Sequence, residues 1–202
     1  MSDHRIDFSK KEMSLMQDRE FLLSKIEIGK KIEELMGMVE QKLYSSIQEY
    51  PWPEEVLSKS GKISKGENYQ GLPYCMLDFP RRFSKEGTFA FRTMFWWGNF
   101  FSATLHLSGK YLEKRREALL ANLESIRSSQ AYICVHTDPW EYHYGSDNYM
   151  PVSQFTAGQL KSLFSAKSFV KISYHWPLDV YSNLPGLVLS IFRQIQDWTV
   201  DH

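Results

Sequence analysis

Four histidines, His106, His136, His143 and His175, fall in or beside apolar β-forming stretches, and the segment HTDPWEYH sets Asp138 and Glu141 between two of them. An imidazole beside a carboxylate is a working acid/base couple, because the carboxylate orients the ring and the ring carries the proton. Arg92 is suited to hold an anionic group. With His106 or His143 as acid or base, and Glu141 or Asp138 orienting it, these five residues are the catalytic candidates of an enzyme whose reaction the sequence leaves open. Metal binding needs three or four ligands of fixed geometry, and His136, Asp138, Glu141 and His143 could supply them. Their spacing is no known zinc signature, and HExxH and paired CxxC are both missing, so no metal and no cofactor is expected.

The stretch RTMFWWGNFFSATLHLSGKY holds a second kind of site. Gly98-Asn99 between bulky β-formers reads as a two-residue type II′ hairpin turn, which pairs Trp97 with Phe100 and continues to Phe91 opposite His106. One face then carries Ala90, Met94, Trp96, Phe101, Ala103, Leu105 and Leu107, with Arg92 as a charged intruder that needs a carboxylate: Asp78, Asp138 or Glu141. The other carries Phe91, Phe95, Trp97 and Phe100 beside Thr93, Ser102, Thr104 and His106. Aromatic walls with a few convergent polar groups suit a ligand cleft, and equally a core covered by a helix. The ligand-binding candidates are Phe91, Phe95, Trp97, Thr104 and His106, with Trp140 and Tyr142 capping them from the oversized loop Thr137 to Phe155. The join at Ser108, Gly109 and Lys110 could hold an anion at a helix start, but neither GxGxxG nor GxxxxGK[ST] accompanies it.

The elements that must position these residues are legible in outline. Ser9 with Glu12 fits a capping box, and the apolar stripe Leu22, Ile26, Gly29, Ile32, Met36, Val39, Leu43, Ile47 and Tyr50 predicts helix over 9–50, with Gly29 and Gly37 as its weak points and Pro51 and Pro53 ending it. That helix is either a dimerising arm or a helix pair packed on the sheet. A polar loop over 53–70 follows. LPYCMLDFP reads as a short strand near an edge, RRFSKEG as a basic connection, and the hairpin as two further strands. A helix begins near Lys110, AYICVH is a strand, Thr156 with Gln159 caps a helix to Ala166, and SFVKISYHW is a strand. The last helix carries Leu187, Ile191, Ile195 and Trp198. The expected fold is α+β: a mainly antiparallel sheet of about five strands, a long N-terminal helical segment and three further helices, in one domain over 1–202 with its α+β body at 69–202.

Composition narrows the function classes. The 202 residues are 43% hydrophobic and 15% aromatic, with 24 Lys plus Arg against 24 Asp plus Glu. Such balance provides no field to gather nucleic acid, so no nucleic-acid partner is expected. No apolar run reaches the ~18–20 residues of a membrane span and the N-terminus is charged, so a soluble cytoplasmic protein is expected. Cys75 and Cys134 lie in apolar strands, as buried thiols do. The leading expectation is a noncatalytic domain that binds a small-molecule ligand or a partner through the aromatic face and the 137–155 loop. The alternatives are the enzyme above and a homodimer built through the N-terminal helix.

Overall fold

A computed structural model describes residues 6–47, 54–57 and 59–199. The described helices are α1 (Lys10–Gln17), α2 (Arg19–Ile47), α3 (Glu54–Leu57), α4 (Lys110–Glu113), α5 (Arg116–Ala121), α6 (Leu123–Arg127), α7 (Ala157–Ala166) and α8 (Leu184–Thr199). Ser9 Oγ accepts the Glu12 N–H and the Glu12 carboxylate accepts the Ser9 N–H, so the capping box forms. The N-terminal helix breaks at Asp18, not at a glycine. Asp18 leaves helical geometry at ψ 84°, and its carboxylate accepts the Phe21 N–H at 2.8 Å, ending one helix and capping the next. Aspartate offers the backbone an alternative partner, whereas a glycine costs only about 1 kcal/mol and both glycines are absorbed within α2. A methyl group added at Gly37 would meet nothing within 4 Å. Gly37→Ala should therefore raise stability by about 1 kcal/mol, read as a higher thermal midpoint. The expected stop at Tyr50 to Pro53 lies outside the described residues.

Seven strands build the sheet, not about five: β1 (Lys62–Tyr69), β2 (Leu72–Ser84), β3 (Gly87–Trp96), β4 (Phe101–Ser108), β5 (Tyr132–Cys134), β6 (Tyr149–Pro151) and β7 (Phe169–Trp176). Their order is β1-β2-β3-β4-β7-β5-β6 with every pair antiparallel. The extra strands are the two edges. Among the described residues β1 pairs only with β2, and the charges of KISKGENY discourage further pairing at that edge. Three-residue β6 sits inside the segment expected to be all loop. Strand β2 is also longer than its apolar stretch, because a register shift between Asp78 and Arg81 takes up Pro80 and lets RRFS continue the ladder. The helix expected after β4 is divided into three short pieces. One division falls at Asn122, whose side chain donates to the Ala118 carbonyl at 2.9 Å and competes with the helix.

The hairpin between β3 and β4 departs from its expected register by one residue. Its loop has three residues, Trp97 to Asn99: the Trp96 N–H donates to the Phe100 carbonyl, the Asn99 N–H donates to the Trp96 carbonyl, and Gly98 takes φ +70°. Phe95 therefore faces Phe101, and Phe91 faces Leu105. A one-residue slip moves every side chain to the other face of its partner strand, so the two expected faces are each half right. Phe91, Phe95, Phe101, Ala103, Leu105 and Leu107 lie together in the main core, under the helices. Arg92, Met94, Trp96, Ser102, Thr104 and His106 share the opposite face.

Helices α2 and α8 pack on each other and on the core face of the sheet. Ile32, Met36, Val39, Leu43 and Ile47 are the buried stripe of α2, and Leu184, Val188, Phe192 and Ile195 that of α8, where Phe192 meets Phe91 at 4.9 Å between ring centroids. Thr156 caps α7 with Gln159 in a second capping box. Thr156→Ala should cost about 1 kcal/mol in urea unfolding.

Candidate functional site

Residues of chemical interest gather on the sheet face turned away from the helices. Strand pairing places Asp78, Arg92, Thr104 and Ser173 in one row across β2, β3, β4 and β7, with Ala90, His106 and Lys171 in the row beside it. All six polar members of these rows are buried. What buries them is the segment between β5 and β6, residues 135–148, which lies across this face as a third layer.

That cover is stitched down at each end and in the middle. At the β1 side, the Tyr69 hydroxyl accepts the N–H groups of Tyr142 and His143 at 2.7 and 2.9 Å and donates to Glu141 Oε2 at 2.9 Å. Burial, the largest influence on Tyr69, raises its pKa to about 12, so it stays a donor. His143 lies 3.0 Å from the same hydroxyl and 3.0 Å from Asp147, whose carboxyl it holds below the usual range. In the middle, the Lys171 ammonium donates to the Glu141 carbonyl at 2.5 Å between the rings of Tyr142 and Tyr149, 4.8 and 4.9 Å from their centroids. Tyr144 bonds Ser173, which bonds Thr104, and Tyr144 stacks on His175 at 4.0 Å. At the far end Lys167 donates to the carbonyls of Cys134 and His136.

Arg92 finds its carboxylate in Asp78, through two bonds of 2.6 and 3.0 Å, and also donates to the Tyr142 hydroxyl. Its guanidinium lies over the rings of Phe83, Trp140 and Tyr142. Burial opposes its charge, but the Asp78 bonds win and hold its pKa raised. His106 lies 5.5 Å from the Trp140 ring, and its pKa is depressed to about 3 by burial and then by the charges of Lys171 and Arg92.

The sequence candidates are therefore divided. Arg92, His106 and Thr104 share the loop-covered face, with Trp140 and Tyr142 above them. Phe91 and Phe95 belong to the opposite core, and Trp97 stands half-buried in the hairpin loop against Phe95. Asp138 accepts the Trp140 N–H and shapes the loop, while Glu141 and His143 meet at Tyr69. None of Asp138, Glu141 and His143 bonds to Arg92 or His106, so the expected Arg/His/carboxylate convergence is not formed. Antiparallel neighbours put His106 and His175 at opposite ends of the sheet. Lys110 is held by Glu55 and Glu86 at 3.1 and 2.6 Å, and α4 behind it has only four residues, so the helix start offers an anion neither its lysine nor a long helix dipole. Sequence reasoning missed Lys171, Ser173 and Tyr69. Lys171 sits between Val170 and Ile172, where alternation marks it as solvent-facing.

A second feature is the N-terminal arm. The stripe that α2 buries continues toward its start through Ile28 and Phe21 at the same seven- and four-residue spacing, but there no described residue covers it. Ile6, Phe8, Met13, Leu15, Met16, Phe21, Leu22, Leu23, Ile26 and Ile28 are all exposed. Beside them a groove of about 770 Å³ runs between α2 and the ends of β1 to β3, walled by Leu22, Ile26, Gly29, Cys75 and Trp97, with the ion pairs Lys25–Glu67 and Lys65–Glu33 at its rim.

Fold and site define an antiparallel α+β protein whose second sheet face is closed by an aromatic loop. No protein-family model, curated protein or solved structure matches the chain. Among the described residues no group of three or more His, Cys, Asp or Glu side chains is arranged to hold a metal ion, and no helix is long and apolar enough to cross a membrane.

Proposed function

We propose that this chain is a noncatalytic interaction protein that pairs with a second copy of itself through the N-terminal arm, residues 6–31. The observation that carries this reading is the bare apolar surface of the arm. Ten large apolar side chains stand exposed between Ile6 and Ile28, a density that marks an interaction surface more often than a solvated one. A second copy fits its charge. Lys10, Lys11, Arg19, Lys25, Lys30 and Lys31 are nearly balanced by Asp7, Glu12, Asp18, Glu20 and Glu27, so the arm has little field with which to select an oppositely charged partner or an anionic bilayer. The aromatic face expected to bind a ligand is not formed as one surface, because Phe91 and Phe95 lie in the opposite core, away from Thr104 and His106.

Light scattering on the full chain tests it. The expected mass at about 10 µM is twice the 23.8 kDa of the chain, and Phe21→Asp with Ile28→Asp should return it to 23.8 kDa with an unchanged circular dichroism spectrum. A wild-type chain that stays monomeric at about 100 µM defeats the reading. Binding to liposomes or to a different protein without self-association would transfer the arm to another partner.

A further inference from the structure

A cleft of about 470 Å³ opens between Trp140 and the turn from β2 to β3, with His106, Thr88, Ser108, Thr137 and Phe169 among its walls. His106 is the unexplained group. Its side chain is buried, and among the described residues no hydrogen bond reaches either ring nitrogen; the rings of Trp140 and Phe169 meet it edge to face, with centroids 5.5 and 6.0 Å away. Neither ring nitrogen is among the fully enclosed polar atoms that lack a partner, so its unbonded nitrogens reach the open space of the cleft. Two positive charges stand behind it. Arg92 is matched by Asp78, but Lys171, directly opposite His106 on β7, makes no ion pair among the described residues; its ammonium has the Glu141 carbonyl and the rings of Tyr142 and Tyr149. On the sheet face beneath the loop two cations thus stand with one ion-paired carboxylate, Asp78, while Asp138 and Glu141 act on Lys171 from the loop and Glu86 in the cleft wall is held by Lys110 at 2.6 Å.

We propose that this cleft binds a small organic anion, whose carboxylate or phosphate accepts a hydrogen bond from His106 and whose ring or apolar part lies against the indole of Trp140. The neutral imidazole supplies one N–H to an acceptor at the cleft floor. The charges that suppress the imidazolium form favour a negative group at the same point, because low local dielectric strengthens both effects. The hydroxyls of Ser108 and Thr137 add donors. Gly87 at φ +149° and Gly109 at φ +53° pack backbone against backbone at one wall, where any side chain would collide with the facing carbonyl, so that wall stays bare. Trp140, half exposed at the mouth, offers a flat apolar face. This site is separate from the arm, and its test is independent of self-association.

The probes are benzoate, inorganic phosphate and neutral benzamide, titrated to about 20 mM into the full chain while the His106 ring signals are followed by NMR. Benzoate and phosphate should shift those signals saturably, and benzamide should not. Trp140→Ala should weaken benzoate about tenfold and leave phosphate unchanged. Lys171→Met should weaken both anions about tenfold while the fold is kept, which separates loss of the field from loss of structure. Silence from His106 with both anions, an equal response to benzamide, or undiminished anion binding in Lys171→Met would each overturn the assignment.

Discussion

Arg92→Leu is expected to lower folding stability by about 3–5 kcal/mol, read as a fall in the urea midpoint without a change of slope. The cost comes from what is left behind. Asp78 is buried and its carboxylate spends both oxygens on Arg92, so removing the guanidinium strands a charge where water does not reach it. The guanidinium also fills the space beneath Phe83, Trp140 and Tyr142, and leucine restores only part of that contact. Arg92→Lys should not rescue it, because an ammonium cannot make both bonds to Asp78 and reach the Tyr142 hydroxyl at once. The double variant Arg92→Leu with Asp78→Leu should recover most of the loss, since two apolar residues leave no charge unpaired. If instead the two single costs simply add, the pair is not an energetic unit and the loop is held by its other bonds.

How much of this was readable from the chain depends on how local each feature is. Both capping boxes, Ser9 with Glu12 and Thr156 with Gln159, are decided within four residues and formed as expected. The antiparallel α+β character was legible from element types and short connections. The hairpin was located correctly at Gly98-Asn99, yet one further loop residue moved the pairing and regrouped its faces, because a dipeptide marks a turn without fixing its length. Edge strand β1 was hidden by its own polarity. Asp78 was one of three carboxylates offered to Arg92, and the β2–β3 register, a non-local quantity, selects it. The loop's aromatic residues could be singled out by composition. That Tyr142 and Tyr144 close over a row of polar side chains could not, since periodicity names the two sides of a strand but not what covers each.

Lys171→Met is the counterpart of the arginine experiment and should come out with the opposite sign. Burial depresses the Lys171 pKa from 10.5 to about 8, because the charged form has lost its water and the carboxylates of Asp138 and Glu141 offset that only in part. At neutral pH the folded chain still carries that proton, at a cost in stability. Between about pH 8 and 10.5 the unfolded chain binds more proton at this site than the folded one, so stability attributable to Lys171 rises with pH through the window and is lost again as pH falls through 8. The full difference is on the order of 3 kcal/mol. Replacing the lysine by methionine would remove that contribution, giving up one bond to the Glu141 carbonyl and two cation–ring contacts. The difference in unfolding free energy between variant and wild type should therefore favour the variant, or vanish, at about pH 7 and move toward the wild type by about pH 9.5. Taking the difference cancels the buried tyrosines, whose raised pKa values act in the opposite direction above about pH 10. A variant much less stable than wild type at neutral pH, with a flat difference across the window, would mean that the ammonium is a net stabilising anchor of the loop and that the charge beneath it is already compensated.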